Sequence, residues 1–276
     1  MRVVFSRKGF DSAAGGCPSP IIEGKPTTIP IPTVMPTPMR YQDLKGEYGR
    51  LVEDLTNRRI KRTTRCHVDP DINQNVLGRL PGWRGAFGQT GAAQSHLNNQ
   101  GVVQGDLFLF WGLFQCAAKG RRWKFNGPKQ HRIFGWLQIG QIFHVGADGR
   151  SVLRHHTWLR DHPHTSNGWS HLNTIYVAAD QLTLNGRKTG VPGWGMFSKG
   201  FRLSEENSLV SNWQVPNWLN PARGGVGMSY HPLDRWSGKG TVRSAARGQE
   251  FVADTTGRRD ALEWLEVLFH ESQPDL

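Results

Sequence analysis

Two apolar runs lie in the middle of the chain, and they restrict its possible folds more than any other feature. The first is GDLFLFWGLF at 105–114, and the second is RIFGWLQIGQIFHV at 132–145, which contains Gly135 and Gly140. Near-continuous apolar runs of this length are typical of strands buried on both faces of a sheet. The basic, polar stretch between them, at 116–131, is therefore predicted to be a loop that joins two sheet strands.

Patterns elsewhere in the chain predict further elements around this sheet. Helices are predicted over 41–56 and about 258–271, where apolar side chains recur at helical spacing, and over 91–99. Additional strands are predicted at 1–6, 173–179 and 193–198. The expected class is α+β, with a mixed or barrel-like central sheet, flanking helices and long loops.

The segment 24–40 is rich in proline, and we expect an extended arm that lies across the surface of the fold.

The sequence shows neither an internal repeat of fixed period nor a linker that cleanly separates two domains. Residues 1–276 are therefore expected to form a single domain.

Charge and aromatic content favour a polyanionic partner. Lys and Arg number 34 against 22 Asp and Glu, so the formal net charge is +12. A basic surface releases counterions when it neutralises phosphates. Trp and Phe alternate with basic residues in RRWKF at 121–125, a pattern that suits base stacking beside backbone contacts. The alternatives are a merely soluble basic protein and tryptophans that sit in the core.

The three cysteines, Cys17, Cys66 and Cys116, form no CxxC pair, so the sequence indicates neither a zinc ribbon nor a disulfide scaffold. Scattered thiols in odd number are typical of a reducing compartment. The sequence contains neither an apolar stretch long enough to span a bilayer nor a signal peptide. We expect a cytoplasmic protein without a membrane partner.

The loop after the first strand, SRKGFDSAAGG at 6–16, combines two cations, a carboxylate and a glycine pair. Such a loop can direct backbone N–H groups and the side chains of Arg7, Lys8 and Ser12 at a phosphate. It matches neither a Walker A motif nor GxGxxG. The alternative is an ordinary turn that Asp11 caps.

The stretch CHVDPDI at 66–72 alternates His67, Asp69 and Asp71, which share one side if the backbone is extended. The HxDxD spacing can pair a base with an acid or bind a divalent metal. Asp-Pro-Asp is also a common turn sequence. We assign no metal site from the sequence, and it identifies no cofactor.

Three other stretches add polar side chains. Gln89, Gln94 and His96 lie among small residues at 82–101, and amide side chains read base edges well. WLRDHPH at 158–164 adds Arg160 and His162, and also His164; RGQEFV at 247–252 adds Glu250 as a possible second acid or base. The structural alternatives are a buried polar helix, a solvent loop and an ion pair between Arg247 and Glu250.

These stretches, in this order, resemble one family: the third nucleotide-modification-associated domain, found with DNA base-modification systems. The resemblance covers almost the whole chain and rests on SRKGFDS, HVDPD, GWRGAFGQTGAAQSHLNNQGV, IFGWLQIG, DHPH followed by NTIYVA, and RGQEFV. It implies a role in processing or hypermodifying nucleotides or DNA bases, and it suggests an enzyme because the matching positions are polar and charged. A weaker likeness, over 105–143, is to PUA-like small barrels of the EVE and ASCH groups, which bind RNA or flipped modified bases.

The first functional hypothesis is an enzyme that acts on a nucleotide or a DNA base, which must be flipped out of a duplex to be reached. The predicted catalytic residues are Asp11, His67 and Asp69. The predicted substrate-binding residues are Arg7, Lys8, Ser12, Gln89, Gln94, His96, Arg160 and His162. The alternatives are a non-catalytic PUA-like reader of a modified base and a nucleic-acid scaffold that recruits a partner modification enzyme.

Overall fold

A large mixed sheet organises the protein, whose computed structural model describes residues 1–272 and 274–275. The strands are β1 Arg2–Arg7, β2 Ser19–Ile22, β3 Lys25–Pro26, β4 Ile31–Pro32, β5 Cys66–His67, β6 Ala86–Gln89, β7 Leu107–Lys119, β8 Trp123–His144, β9 Thr174–Ala178, β10 Gln181–Leu184, β11 Arg187–Pro192, β12 Trp194–Arg202, β13 Asn212–Gln214, β14 Trp236–Ser237, β15 Thr241–Arg243, β16 Glu250–Asp254 and β17 Pro274–Asp275. The α-helices are α1 Tyr48–Leu55, α2 Gly91–Asn99 and α3 Arg259–Ser272.

The central sheet has the strand order β16-β1-β7-β8-β12-β17. β1 runs parallel to β7 and antiparallel to β16, and β8 is antiparallel to both β7 and β12. The last part of β8 pairs with β9, which in turn pairs with β6. The predicted α+β class and mixed sheet are confirmed. Within residues 1–272 and 274–275 the sheet does not close into a barrel.

The prediction of a loop at 116–131 is wrong, because this segment is mostly strand. β7 continues to Lys119 and β8 begins at Trp123, so only three residues remain for the turn between them. Most side chains of this hairpin are exposed, but Ala117 and Trp123 are buried in a core cluster that includes α1. Buried positions this few and this widely spaced do not give the alternating apolar pattern by which a strand is recognised.

The predicted helix over 41–56 is divided. Tyr41–Asp43 forms a 3-10 turn and α1 begins only at Tyr48. Gly46 lies between them with a φ of +87°, a backbone conformation that favours glycine and interrupts a right-handed helix. The predicted helices near the middle and the end of the chain are observed as α2 and α3.

Alternate side chains of β7 enter two separate cores. Leu107, Leu109 and Trp111 pack on one face of the sheet, beneath α3. Phe108 and Phe110 pack on the other face, against the aromatic rings of β6 and β9. Because strand side chains alternate in direction, one apolar run supplies both layers. Several tryptophans are therefore buried in the core and are not available for base stacking. These are Trp111, Trp136, Trp213 and Trp218.

The proline-rich arm contributes to the fold as well as to the surface. β4 pairs antiparallel with β5, so that Ile31 lies opposite His67. Ile29 is fully buried, whereas Val34 is fully exposed. The arm therefore supports the strand that carries His67. None of the helices in the described part of the chain is long and apolar enough to cross a membrane.

We predict that Leu265→Ala in α3 lowers the free energy of unfolding by about 2–5 kcal/mol, because the side chain is fully buried against the sheet and its loss leaves a cavity. Chemical denaturation of the purified protein measures this. Glu266→Ala, on the exposed face of the same helix, is the matched control and should differ from the wild type by less than about 0.5 kcal/mol. Equal effects of the two substitutions would contradict the packing described for α3.

Candidate functional site

A cleft of about 870 Å³ opens where the end of β1, the start of β16, β5 and the end of β6 meet. Its volume is in the range of small-molecule sites. The predicted residues that line it are Arg7, Lys8, Asp11, His67, Asp69, Gln89 and His96. These side chains come from segments that are far apart in the sequence, so the fold brings them together.

The other predicted residues lie outside the lining. Ser12 is exposed next to Asp11. Gln94 is buried in α2, where its amide bonds to Asn98 and to the Tyr176 hydroxyl. Arg160 is exposed, 3.8 Å from Asp161. His162 is buried behind Asp69.

Asp11 organises the loop that follows β1. Its Oδ1 accepts hydrogen bonds from the backbone N–H groups of Ala13 and Ala14, both at 2.7 Å, and its Oδ2 pairs with the Arg7 guanidinium. Burial alone would raise the pKa of Asp11, but these hydrogen bonds together hold it below its usual value. Both carboxylate oxygens are thus engaged within the loop.

Glu250 is the buried counterpart of Lys8. Lys8 Nζ lies 3.0 Å from Glu250 Oε1 and 4.4 Å from the centre of the Phe87 ring. Gln89 donates to the same Oε1 at 2.7 Å. Glu250 Oε2 is buried and has no hydrogen-bond partner among the residues described. This carboxylate therefore has one unengaged oxygen beside the cleft.

Asp69 is surrounded by imidazoles. Its Oδ1 accepts from the Gly88 backbone N–H at 2.7 Å and lies 3.4 Å from His162 Nε2. Its Oδ2 lies 3.8 Å from His67 Nε2, too far for a hydrogen bond. His164 completes the group, with its ring centre 5.3 Å from that of His67.

Burial decides the protonation of this group. It lowers the pKa of His67 to about 4 and that of His164 to about 3, against the opposing pull of the Asp69 charge. Burial would raise the pKa of Asp69, but the neighbouring histidines, His162 first, lower it to about 2. At neutral pH the cluster thus holds an ionised carboxylate and, in His67 and His164, two neutral imidazoles.

The His164 ring is fixed on three sides. It stacks on Trp169 with ring centres 4.2 Å apart and planes 4° from parallel, and its Nδ1 lies 2.6 Å from Asn173 Oδ1. On the third side is the backbone of Gly88, where a Cβ atom would lie 2.2 Å from the ring. A glycine at this position is required for the ring to approach the strand so closely.

Asp71, the third member of the HxDxD pattern, has a structural role. It accepts two hydrogen bonds from the Arg79 guanidinium and one from Trp83 Nε1, and it is not part of the cleft lining. The alternation of the motif therefore does not place all three side chains in one site.

A family model described as nucleotide modification associated domain 3 matches residues 2–254. The chain belongs to this family. The identification made from the sequence motifs is confirmed, and involvement in nucleotide modification follows from the family description. No curated protein and no solved structure matches the chain.

All cleft residues of this nucleotide modification associated domain lie within the matched segment. Two lining residues, Glu250 and His164, were noted in the sequence but were not among the predicted site residues. Trp169 and Tyr230 also line the cleft and were not predicted. Tyr230 packs on His96, with ring centres 4.4 Å apart. Trp169 and Tyr230 stand in loops without a spacing pattern, so only the tertiary contacts identify them.

We predict that Gly88→Ala displaces His164, because the rigid ring cannot move away from a new Cβ without losing Trp169 and Asn173. The cost should be about 1–3 kcal/mol in the free energy of unfolding, typical of overpacking. Denaturation and the histidine NMR signals would measure the two effects. Gly120→Ala, at a glycine with open space around its Cβ position, is the control and should leave both unchanged.

We predict that Asp11→Ala lowers stability at neutral pH by about 1–3 kcal/mol, since charge-assisted bonds to the loop are lost. The folded pKa of Asp11 is below its unfolded value, so the stabilisation is present above about pH 4 and is lost as the pH falls through the folded pKa. In denaturation curves, the wild type and the variant should therefore differ in stability at pH 7, and the difference should shrink as the pH is lowered below about 4. A difference that stays constant with pH would contradict this role.

Proposed function

We propose that this protein is an enzyme that modifies a nucleotide or a base in DNA, and that the cleft beside β1 is its active site. The observation that carries the proposal is the convergence of the loop after β1, the HVDPD stretch, Gln89 and Glu250 on one cleft of nucleotide size. Family membership supports the same substrate class.

The cations of the first loop can hold phosphate even though each has an internal partner. Arg7 uses Nε and Nη2 for Asp11, and an arginine has five N–H donors in all. Lys8 donates to Glu250 and has two more donors. The internal carboxylates keep both side chains at the cleft before substrate arrives, which lowers the entropy lost on binding.

Aromatic rings at the cleft suit a planar base. Trp169 and Tyr230 both line it. Trp169 already stacks on His164 and Tyr230 packs on His96, so a purine or a pyrimidine would contact the part of either ring that these histidines leave uncovered. A base in duplex DNA would have to be flipped out to reach these rings. The formal charge of +12 favours approach of a polyanion.

The reacting groups are assigned to His67 and Asp69, together with the free oxygen of Glu250. Asp11, predicted from the sequence to transfer protons, has both oxygens engaged in its own loop, so we assign it the role of holding Arg7. Ser12, Gln94, Arg160 and His162 retain no proposed contact with substrate. His162 supports Asp69 from behind.

The test compares the wild type with Asp69→Asn and with Asp180→Asn, an exposed control outside the cleft. Each protein is incubated with nucleotides and with DNA that carry ordinary and modified bases, and the nucleosides are analysed by mass spectrometry. The wild type and the control should create or deplete the same nucleoside, and Asp69→Asn should lose at least about 100-fold in rate.

The same change in all three proteins would remove Asp69 from the mechanism. If no nucleoside changes and the wild type instead prefers modified DNA in a binding assay, the protein is a reader rather than an enzyme.

A further inference from the structure

Three side chains of metal-ligand type meet beside the cleft. His67, Asp69 and His164 each direct one ligand atom into a region where all these atoms lie within 4.8 Å of one another. Ligands about 2.0–2.2 Å from a common ion are separated by at most about 4.4 Å. Small rotations of the three side chains would therefore bring their atoms to coordinating distance.

The hydrogen bonds around Asp69 leave one of its oxygens available. Oδ1 is held by the Gly88 N–H and faces His162. His162 Nδ1 accepts from the His164 backbone N–H at 3.3 Å, so the His162 proton is on Nε2 and points at Asp69. Among the residues that the structure describes, Oδ2 accepts no hydrogen bond; it lies 3.8 Å from His67 Nε2, a separation that a shared ion would bridge.

Asn173 determines which nitrogen of His164 is available. The Asn173 amide nitrogen donates to the His164 carbonyl at 2.9 Å, so its Oδ1 is the atom that faces the ring. That oxygen can only accept, and it therefore accepts a hydrogen bond from the protonated Nδ1 of His164. The lone pair of His164 is left on Nε2. Metal-binding histidines characteristically donate their second nitrogen to a fixed oxygen in this way.

The charge of the cleft is also suited to a cation. Apart from its histidines, the Lys, Arg, Asp and Glu residues of the lining are the cations Arg7 and Lys8 and the carboxylates of Asp11, Asp69 and Glu250. Arg7 is paired with Asp11 and Lys8 with Glu250, so Asp69 is the carboxylate without a Lys or Arg partner among the residues described. A buried carboxylate of this kind is stabilised by a bound cation.

We propose that His67, Asp69 and His164 bind a divalent transition-metal ion at the cleft. Two imidazoles and one carboxylate suit Zn²⁺, Fe²⁺ or Co²⁺ better than Mg²⁺ or Ca²⁺, which prefer oxygen ligands. Three protein ligands leave further coordination positions for water or substrate, as in catalytic rather than structural metal sites. His162, Gly88 and Asn173 are positioning residues that orient the ligands.

The experiment titrates metal-free protein with Co²⁺, whose visible absorption reports nitrogen and oxygen coordination, and measures Zn²⁺ stoichiometry by mass spectrometry after dialysis. The wild type should bind one equivalent of each ion. His67→Ala and His164→Ala should each weaken binding by more than about 100-fold, since the partners of metal ligands alone contribute about 10–100-fold. His155→Ala, an exposed histidine outside the cluster, should bind as the wild type does.

Asn173 separates coordination from folding. Asn173→Asp retains the oxygen that accepts from His164 and should keep Co²⁺ binding, whereas Asn173→Leu should weaken it by about 10–100-fold. Circular dichroism verifies that each variant is folded. If His67→Ala is not folded, His67→Asn is tested in its place.

A folded wild type that binds neither ion, or ligand variants that bind as the wild type does, would overturn the proposal. The metal site shares His67 and Asp69 with the proposed function, in which a bound ion would make them ligands, but the two proposals fail under different results. If nucleoside turnover is the same in EDTA and in added metal and no ion binds, the proposed enzymatic function is supported and the proposed metal site is contradicted. If one equivalent of metal binds but no nucleoside changes, the metal site is supported and the enzymatic function is contradicted.

Discussion

Burial of β7 on both faces is the constraint from which the rest of the structure follows. Its leucines and Trp111 enter one core and its phenylalanines the other, so the strand must lie inside the sheet. β1 pairs beside it in parallel, and β16 pairs beside β1 in the opposite direction. The end of β1 and the start of β16 thus emerge at the same edge. Arg7, Lys8 and Glu250 meet there because of strand direction, although more than 240 residues separate Lys8 from Glu250.

The cleft formed at this edge combines rigid and unsatisfied groups. An ion pair within the loop after β1 holds Arg7, and an ion pair to Glu250 at the start of β16 holds Lys8. The His164 ring is clamped between Trp169, Asn173 and the Gly88 backbone. Against this rigid frame, one oxygen of Glu250 has no partner in the described part of the chain. A buried polar atom without a partner is costly and therefore requires an explanation, and a ligand that supplies the missing interaction is one such explanation. The same frame therefore supports both the proposed base-modifying function and the proposed metal site.

Local patterns located the strands and helices that have an apolar face. β7 and the apolar half of β8 were predicted from near-continuous apolar runs, and α3 from its helical apolar period. The short helix α2 was predicted as well. The basic hairpin at 116–131 was missed because most of its side chains are exposed, and its few buried residues, Ala117 and Trp123 among them, do not form a regular period. The helix over 41–56 was divided at Gly46, whose positive φ the apolar spacing does not reveal. His67 and Asp69 reach the cleft as the extended HxDxD reading implied, while Asp71 is bound by Arg79.

The sequence by itself determined the family, the α+β class and the polar motifs, because each is written in contiguous residues or in a local period. Only the tertiary structure decided which of those polar groups share a cleft, which are paired internally and which keep a free lone pair. Gln94 and His96 are two residues apart on one helix, yet the first is buried against Tyr176 and the second lines the cleft. His164 and Asp69 are 95 positions apart and contribute to one ligand group. Such relations depend on strand pairing across the sheet, and no local pattern of side chains encodes them.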